Sequence, residues 1–266
     1  MQLSGDGAFG PPRDRDEALH VLRAAVAAGV DHIDTAQYYG AGTVNQLIRE
    51  ALHPYPAGLA IVSKVAARRD TDSALRQGIE DNLATLGTGR LAAVNLRGMN
   101  PSGTPGRQFD AQLAALIQAR EEGLIDGVGL SNISRLHLLR ALDQTDVVCV
   151  QNLFNLGDQH SLDVLTECEA RNIAFVPFCP LGWPGEQRHR LLTDPRLATL
   201  AGRLGATPAQ VSLAWLLGLA PNVLLIPGTR TRAHLAENLG AADVRLDDAT
   251  RAELTRLPLS RVAVSR

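Results

Sequence analysis

Val30-Asp31-His32-Ile33-Asp34-Thr35-Ala36-Gln37-Tyr38-Tyr39-Gly40 decides how this chain is read. The pattern predicts a short buried strand, His32–Asp34, whose carboxyl end opens into a loop before a helix begins near Val44. The loop offers a carboxylate, Asp34, and a phenol, Tyr39. Downstream, Ile61-Val62-Ser63-Lys64-Val65 predicts a second apolar strand that delivers one lysine at its carboxyl end. A phenol, an amine and a carboxylate on consecutive strand ends suit proton transfer. An adjacent ammonium favours phenolate and lowers the tyrosine pKa, while the carboxylate holds the lysine charged. Taken singly, each residue also has an ordinary use: Tyr39 as amphipathic loop packing, Lys64 as a snorkelling cation, Asp34 as a turn cap. Their order and placement favour a general-acid site that reduces a carbonyl.

Working outward, apolar segments at 91–96, 124–130, 147–150, 173–178 and 223–226 read as further strands. Helical periodicity separates them. Asp14 with Glu17 resembles a capping box, and Leu19, Leu22 and Val26 follow until Gly29. Later helices are expected at 45–52, from Asp72, around Leu113 and Ile117, at 136–142, at 162–170, after Thr207-Pro208, and through Asn238. Short apolar strands alternating with helices mean βα units and a parallel sheet. With no linker or composition break, the expectation is one domain over 1–266, a closed (β/α)8 TIM barrel with its site at the carboxyl ends of the strands. No GxGxxG follows the first strand, which argues against a doubly wound dinucleotide fold.

The totals narrow the class. In 266 residues, 45% are hydrophobic and 20% charged, enough for one large core, and the net charge of −2 lacks the basic footprint of a nucleic-acid binder. No apolar run reaches the roughly 18 residues of a membrane helix, and no charged-then-apolar leader opens the chain. Cys149, Cys168 and Cys179 are odd in number and widely spaced, suggesting neither a disulfide framework nor a metal site. A cytoplasmic protein is expected.

These residues resemble the aldo-keto reductases. The resemblance is carried, in order, by Asp34-Thr35-Ala36 with Tyr39-Gly40, Ser63-Lys64, Gly127-Val128-Gly129-Leu130-Ser131-Asn132, Pro180-Leu181-Gly182, and Ile226-Pro227-Gly228 with Glu237-Asn238. It implies an NADPH-dependent barrel enzyme (NADH being possible) acting on a small-molecule aldehyde or ketone. By the same resemblance, Tyr39 corresponds to the proton donor, Lys64 to the residue that lowers its pKa, and Asp34 to the carboxylate orienting that lysine. Ser131, Asn132 and Gln151 correspond to the groups that bind the nicotinamide carboxamide. Phe178 stands where a tyrosine usually stacks under the ring. Cys179, Pro180, Leu181 and Gly182 correspond to the loop over the pyrophosphate. Gly228, Thr229 and Arg230 correspond to the phosphate-binding turn, Ile226 just before them to a further cofactor-binding position, and Glu237 and Asn238 to the adenine contacts.

The chain departs from the family pattern in three places. Arg97 replaces a catalytic histidine; it either stabilises the substrate oxygen through its fixed charge or pairs with a loop carboxylate. Gly228 and His234 replace a lysine and an arginine, with Arg230, and after it Arg232, restoring positive charge. Finally, Met1 falls at about the end of the family's first strand, so that strand is expected to be truncated or missing. The arginine and the short amino end keep open a non-catalytic NADPH-binding sensor or assembly subunit, and a barrel enzyme of lyase or isomerase chemistry. Tyr38, Trp183 and the 101–107 loop are candidates for an apolar pocket mouth suited to aromatic or aliphatic carbonyls, or else loop anchors.

Overall fold

The computed structural model describes residues 2–5, 10–66, 72–98 and 103–257. Its elements alternate as the periodicity implies. Helix α1 is Arg15–Ala27, then come β1 His32–Asp34, α2 Thr43–Leu52, β2 Ala60–Ala66, α3 Asp72–Leu86, β3 Leu91–Arg97 and α4 Arg107–Glu121. The chain continues with β4 Ile125–Ser131, α5 Arg135–Leu142, β5 Cys149–Gln151, α6 Leu162–Ala170 and β6 Ala174–Phe175. Helices α7 Glu186–Leu192, α8 Pro195–Arg203, α9 Pro208–Leu217, α10 Arg232–Leu239 and α11 Asp248–Thr255 complete it.

The chain divides into two compact units, one of Met1–Gln151 with Gly228–Arg232, the other of Asn152–Pro227 with Ala233–Arg266. In the first, β1 to β5 pair in sequence order, every pair parallel. Parallel neighbours need a crossover, which the intervening helices supply. Side chains alternate between the two faces of such a sheet. On one face lie Ile61, Ser63, Val65, Val94, Leu96, Val128, Leu130 and Val150, all buried. Val65 sits against Gly78 of α3, and Ser63 Oγ donates to Asn82 Oδ1 of the same helix at 2.6 Å. This is therefore the helix-covered face. Its polar members form a closed network: Thr35 Oγ1 donates to Asn45 Oδ1 (2.7 Å), and Asn45 Nδ2 to both Asn82 Oδ1 and Thr85 Oγ1 (3.0 Å each). Asn82 Nδ2 donates to the Gly78 carbonyl at 2.8 Å.

The second unit is built on aromatic packing. Trp215 of α9 stacks on Phe154 at 6.0 Å, Phe175 meets the same ring edge-on at 5.7 Å, and the indole N–H donates to Thr255 Oγ1 at 2.9 Å. Helix α9 starts on a capping box of Thr207 and Gln210 with Pro208 in its first turn.

Boundaries mostly follow expectation, and the differences have local causes. Asp14 Oδ1 caps α1 through the Glu17 N–H at 2.9 Å. Strand β1 is half-buried on all its residues rather than fully buried. The strands expected at 173–178 and 223–226 shrink to β6 and two isolated parallel bridges, Phe175 to Val223 and Phe178 to Leu153. Helices α7, α8 and α11 were not expected. Among the described residues no strand precedes β1, and Gln2 to Gly5 form turns and bends.

Asn82 sits at 0% exposure with three partners in the helix-face network. Asn82→Ala should lower unfolding free energy by about 2–3 kcal/mol, because Asn45 and Ser63 lose an acceptor inside the protein. Urea denaturation of the variant measures it, and a loss within error would show that the network adds nothing to stability.

Candidate active site

The opposite face of the sheet carries the predicted chemistry. Register places Lys64, Asn95, Gly129 and Cys149 at one level, and Ala66, Arg97, Ser131 and Gln151 at the next. Period-two alternation thus turns the polar residues of four strands, β2 to β5, to one side. Gly129 is required there, since a Cβ would lie 2.2 Å from Asn95 Oδ1 and 2.8 Å from Cys149 Sγ. Cys149 Sγ donates to Asn95 Oδ1 at 3.3 Å, and burial pushes its thiol up to about 12.

Lys64 is the centre of this face. Its side chain is 1% exposed, and Nζ donates to Asp34 Oδ1 at 2.5 Å and to the Thr35 carbonyl at 2.9 Å. Asp34, 8% exposed, accepts on its other oxygen from Gln151 Nε2 at 2.8 Å. A buried ammonium is tolerated only with such close compensation, and removing one partner of a pair of this kind costs about 3–5 kcal/mol. Asp34 and Lys64, expected together at consecutive strand ends, thus meet, and Gln151, expected at the nicotinamide carboxamide, bonds Asp34 as well.

The loop after β1 brings in the phenols. Tyr39 is 9% exposed, and Lys64 Nζ lies 5.4 Å from its ring centroid. Gly40, Ala41 and Gly42 follow with φ of 58°, 52° and 90°, three successive left-handed residues that reverse the chain into α2. At Gly40 a Cβ would meet the Gly10 carbonyl oxygen at 2.9 Å, so only glycine fits. Strain of this kind concentrates at functional loops. Tyr38 packs edge-on against Tyr39, centroids 5.2 Å apart. Its hydroxyl is buried rather than exposed at a pocket mouth and has no hydrogen-bond partner among the described residues. Burial first, and Tyr39 next, push the Tyr38 phenol up to about 12, against the pull of Lys64 and Arg97.

Arg97 ends β3 on the Lys64 face, beside Ser131. Ser131 Oγ is buried without a hydrogen-bond partner among the described residues. Asn132 adopts φ of 55°, donates through Nδ2 to the Gly98 carbonyl at 2.9 Å, and through its N–H to the Gln151 carbonyl at 2.9 Å. An orphaned hydroxyl beside a strained asparagine and a glutamine is a donor and acceptor set that fits a planar carboxamide.

In the other unit, the N–H of Phe178 donates to the Asn152 carbonyl at 2.9 Å, and its half-buried ring pairs with Trp183, which is 39% exposed. Cys179 (φ 52°) and Gly182 (φ 83°) frame a turn around Pro180 and Leu181, closed by Gly182 N–H to the Cys179 carbonyl at 2.9 Å and by Asn155 Nδ2 to that same carbonyl at 3.0 Å. Ile226 is half-buried, and Asn238 Nδ2 reaches the Pro227 carbonyl at 3.4 Å, with Glu237 half-buried and His234 exposed on α10. Gly228, Thr229 and Arg230 belong to the first unit, where Thr229 Oγ1 accepts from Thr231 N–H at 3.3 Å. Arg232, expected to add charge near a phosphate, instead pairs with Glu17, which also accepts its backbone N–H at 3.0 Å. The Arg232 N–H holds the Glu17 carboxyl below the usual carboxylate range. Of the expected pocket-mouth loop, Pro101 and Ser102 lie outside the described residues.

Sequence reasoning passed over Asn95, although a polar residue two before Arg97 in an otherwise apolar strand shares that face by period two.

The Aldo/keto reductase family model matches residues 1–257. Pyridoxine 4-dehydrogenase of Escherichia coli (strain K12) is 42% identical over 259 residues, covering 93% of this chain and 89% of the relative. An aldo/keto reductase of Klebsiella pneumoniae, solved with NADP and acetate, is 26% identical with a TM-score of 0.82, covering 97% of this chain and 89% of that one. A thermostable aldo-keto reductase solved with the inhibitor epalrestat is 29% identical, with a TM-score of 0.79 over 96% of this chain and 98% of that one.

His32, on β1 two residues before Asp34, has a buried Nε2 without a hydrogen-bond partner, and burial lowers its pKa from 6.5 despite Asp34. Burial alone lowers His137 likewise. The unfolded chain therefore binds more protons than the folded one just below pH 6.5, so stability rises with pH through that window and falls as pH drops below it. Urea denaturation at pH 7.5 and 5.5 should show the loss, and His32→Asn should reduce the difference. An unchanged pH slope in that variant would remove His32 as a cause.

Proposed function

The chain belongs to the aldo/keto reductase family, and from that premise we propose that it reduces an aldehyde or ketone with NADPH, Tyr39 supplying the proton. Membership carries the (β/α)8 barrel class. The family match runs without a break over 1–257, which supports reading 1–266 as one such domain. The observation that carries the catalytic assignment is Lys64, fully buried, bonded to Asp34 and Thr35, and 5.4 Å from the Tyr39 ring.

Each residue then has a physical task. Lys64 stabilises the negative charge that grows on the Tyr39 oxygen as its proton leaves. Asp34 and the Thr35 carbonyl keep that ammonium charged and aimed, and Gln151 holds Asp34. Arg97, permanently cationic, faces the same side and stabilises charge on the substrate oxygen without moving a proton. Ser131, Asn132 and Gln151 would hold the nicotinamide carboxamide, and Phe178 offers a ring face. Cys179, Pro180, Leu181 and Gly182 would border the pyrophosphate. Ile226, Gly228, Thr229, Arg230 and His234 serve the phosphate end, with Arg230 as its main charge, and Glu237 and Asn238 serve the adenine. Bound NADPH supplies the hydride.

For the substrate, the similarity to pyridoxine 4-dehydrogenase supports a pyridine aldehyde, pyridoxal, or its alcohol in the reverse direction. The reading places the protein in the cytoplasm, with reduced nicotinamide cofactor at hand.

Replacing Tyr39 by Phe should lower kcat for pyridoxal reduction by about 10³-fold, within the span of general-acid effects, while NADPH still binds by fluorescence titration. Lys64→Met should lower kcat in the same direction. Reduction by the Tyr39→Phe protein at the wild-type rate would end the assignment.

A further inference from the structure

Gln151 ends β5 at 1% exposure, and its side-chain nitrogen crosses to Asp34 Oδ2 on β1 at 2.8 Å. Asp34 holds the Lys64 ammonium through its other oxygen at 2.5 Å, and that ammonium lies 5.4 Å from the Tyr39 ring centroid. Three consecutive contacts therefore join Gln151 to the phenol. The far end of this chain is fixed as well. The Gln151 carbonyl accepts from the Asn132 N–H at 2.9 Å, and Asn132 Nδ2 donates to the Gly98 carbonyl at 2.9 Å. An ionised carboxylate only accepts, so the amide nitrogen of Gln151 is committed to Asp34. Contact with a nicotinamide carboxamide, the task already given to Gln151, leaves this bond unexplained.

We propose that Gln151 is a positioning residue for proton transfer, setting through Asp34 and Lys64 how readily Tyr39 releases its proton. The inference rests on the carbonyl-reductase reading and deepens it. The Gln151 N–H draws part of the Asp34 charge toward itself. Without it that charge falls on Lys64 alone, the ammonium is drawn toward Asp34, and less of its field is left to stabilise phenolate on Tyr39. The titratable and charged groups on this face are His32 and Asp34 of β1, Lys64 of β2, Arg97 of β3 and Cys149 of β5, with Tyr38 beside Tyr39. Burial raises Tyr38 and Cys149 to about 12 and lowers His32 from 6.5, so none of the three titrates in the weakly alkaline range.

Tyrosinate absorbance reads the effect directly. The chain has three tyrosines, and burial pushes both Tyr38 and Tyr55 up to about 12, so the first to ionise should be Tyr39 beside its ammonium. Ultraviolet titration of the protein without cofactor should show that first step, and Tyr39→Phe should remove it. Gln151→Met, of the same length without a donor, should move the step up by about one pH unit, the scale of a charge-assisted hydrogen bond. Reduction requires protonated Tyr39, so kcat for pyridoxal falls as pH rises through the same step, and that fall should shift upward with it. Gln151→Asn, polar but one methylene too short to reach Asp34, should act likewise and carries the test where the Met variant does not fold. NADPH binding is followed by fluorescence beside them. Weaker NADPH binding or lower stability with the tyrosinate step unmoved would overturn the proposal, since cofactor contact or packing alone gives that result. Wild type that reduces no aldehyde would overturn the carbonyl-reductase reading, while the titration, needing no turnover, still decides on Gln151.

Discussion

The Lys64 ammonium is a full charge taken out of water, and much of the first unit answers to it. Such a charge persists in a protein interior only when acceptors are already in place around it. Asp34 and the Thr35 carbonyl are those acceptors, and neither stands alone. Asp34 is fixed by Gln151 from β5, while the Thr35 side chain is fixed by Asn45 of α2, which is bonded to Asn82 of α3, which accepts in turn from Ser63 of β2. The chain of dependence starts at one side chain and closes on the residue next to it. A network satisfied at this many members resists small displacements, because each bond broken strands a buried partner.

Adjacent residues Ser63 and Lys64 also show how the sheet divides its labour. Ser63 turns to the helices and Lys64 to the opposite face. A slip of one residue in β2 would exchange them, burying an ammonium among apolar helix contacts, so the register is defended by a large penalty. Gly129 defends the same register from β4. With no side chain it leaves the space that Asn95 and Cys149 fill from either side.

Much of this was legible in the sequence because it follows from period and position. The alternation of apolar strands and helices located β1 to β5, and the caps at Asp14 and Thr207 are local hydrogen bonds that need only the neighbouring residues. Asp34, Lys64 and Gln151 meet because strand ends of a parallel sheet converge on one edge. What escaped depends on geometry that no pattern encodes. Helix α7 buries only Leu191 and so has no apolar stripe to read. Helices α8 and α11 did carry signals, Asp194 before Pro195 and Asp247 three before Thr250, which went unused. The three left-handed residues after Tyr39 include an alanine, which no turn pattern announces. Arg232 looked available for a phosphate because its partner, Glu17, lies 215 positions away.

The arginine at position 97 gives the site its particular character. An imidazole can supply a hydrogen bond and, when protonated, a charge, and it can exchange its proton near neutral pH. A guanidinium keeps the charge and gives up the exchange. On the proposed reading the chain divides those tasks between two side chains: Arg97 holds charge, and Tyr39 alone moves a proton. Separation of this kind removes a titrating competitor from beside Tyr39.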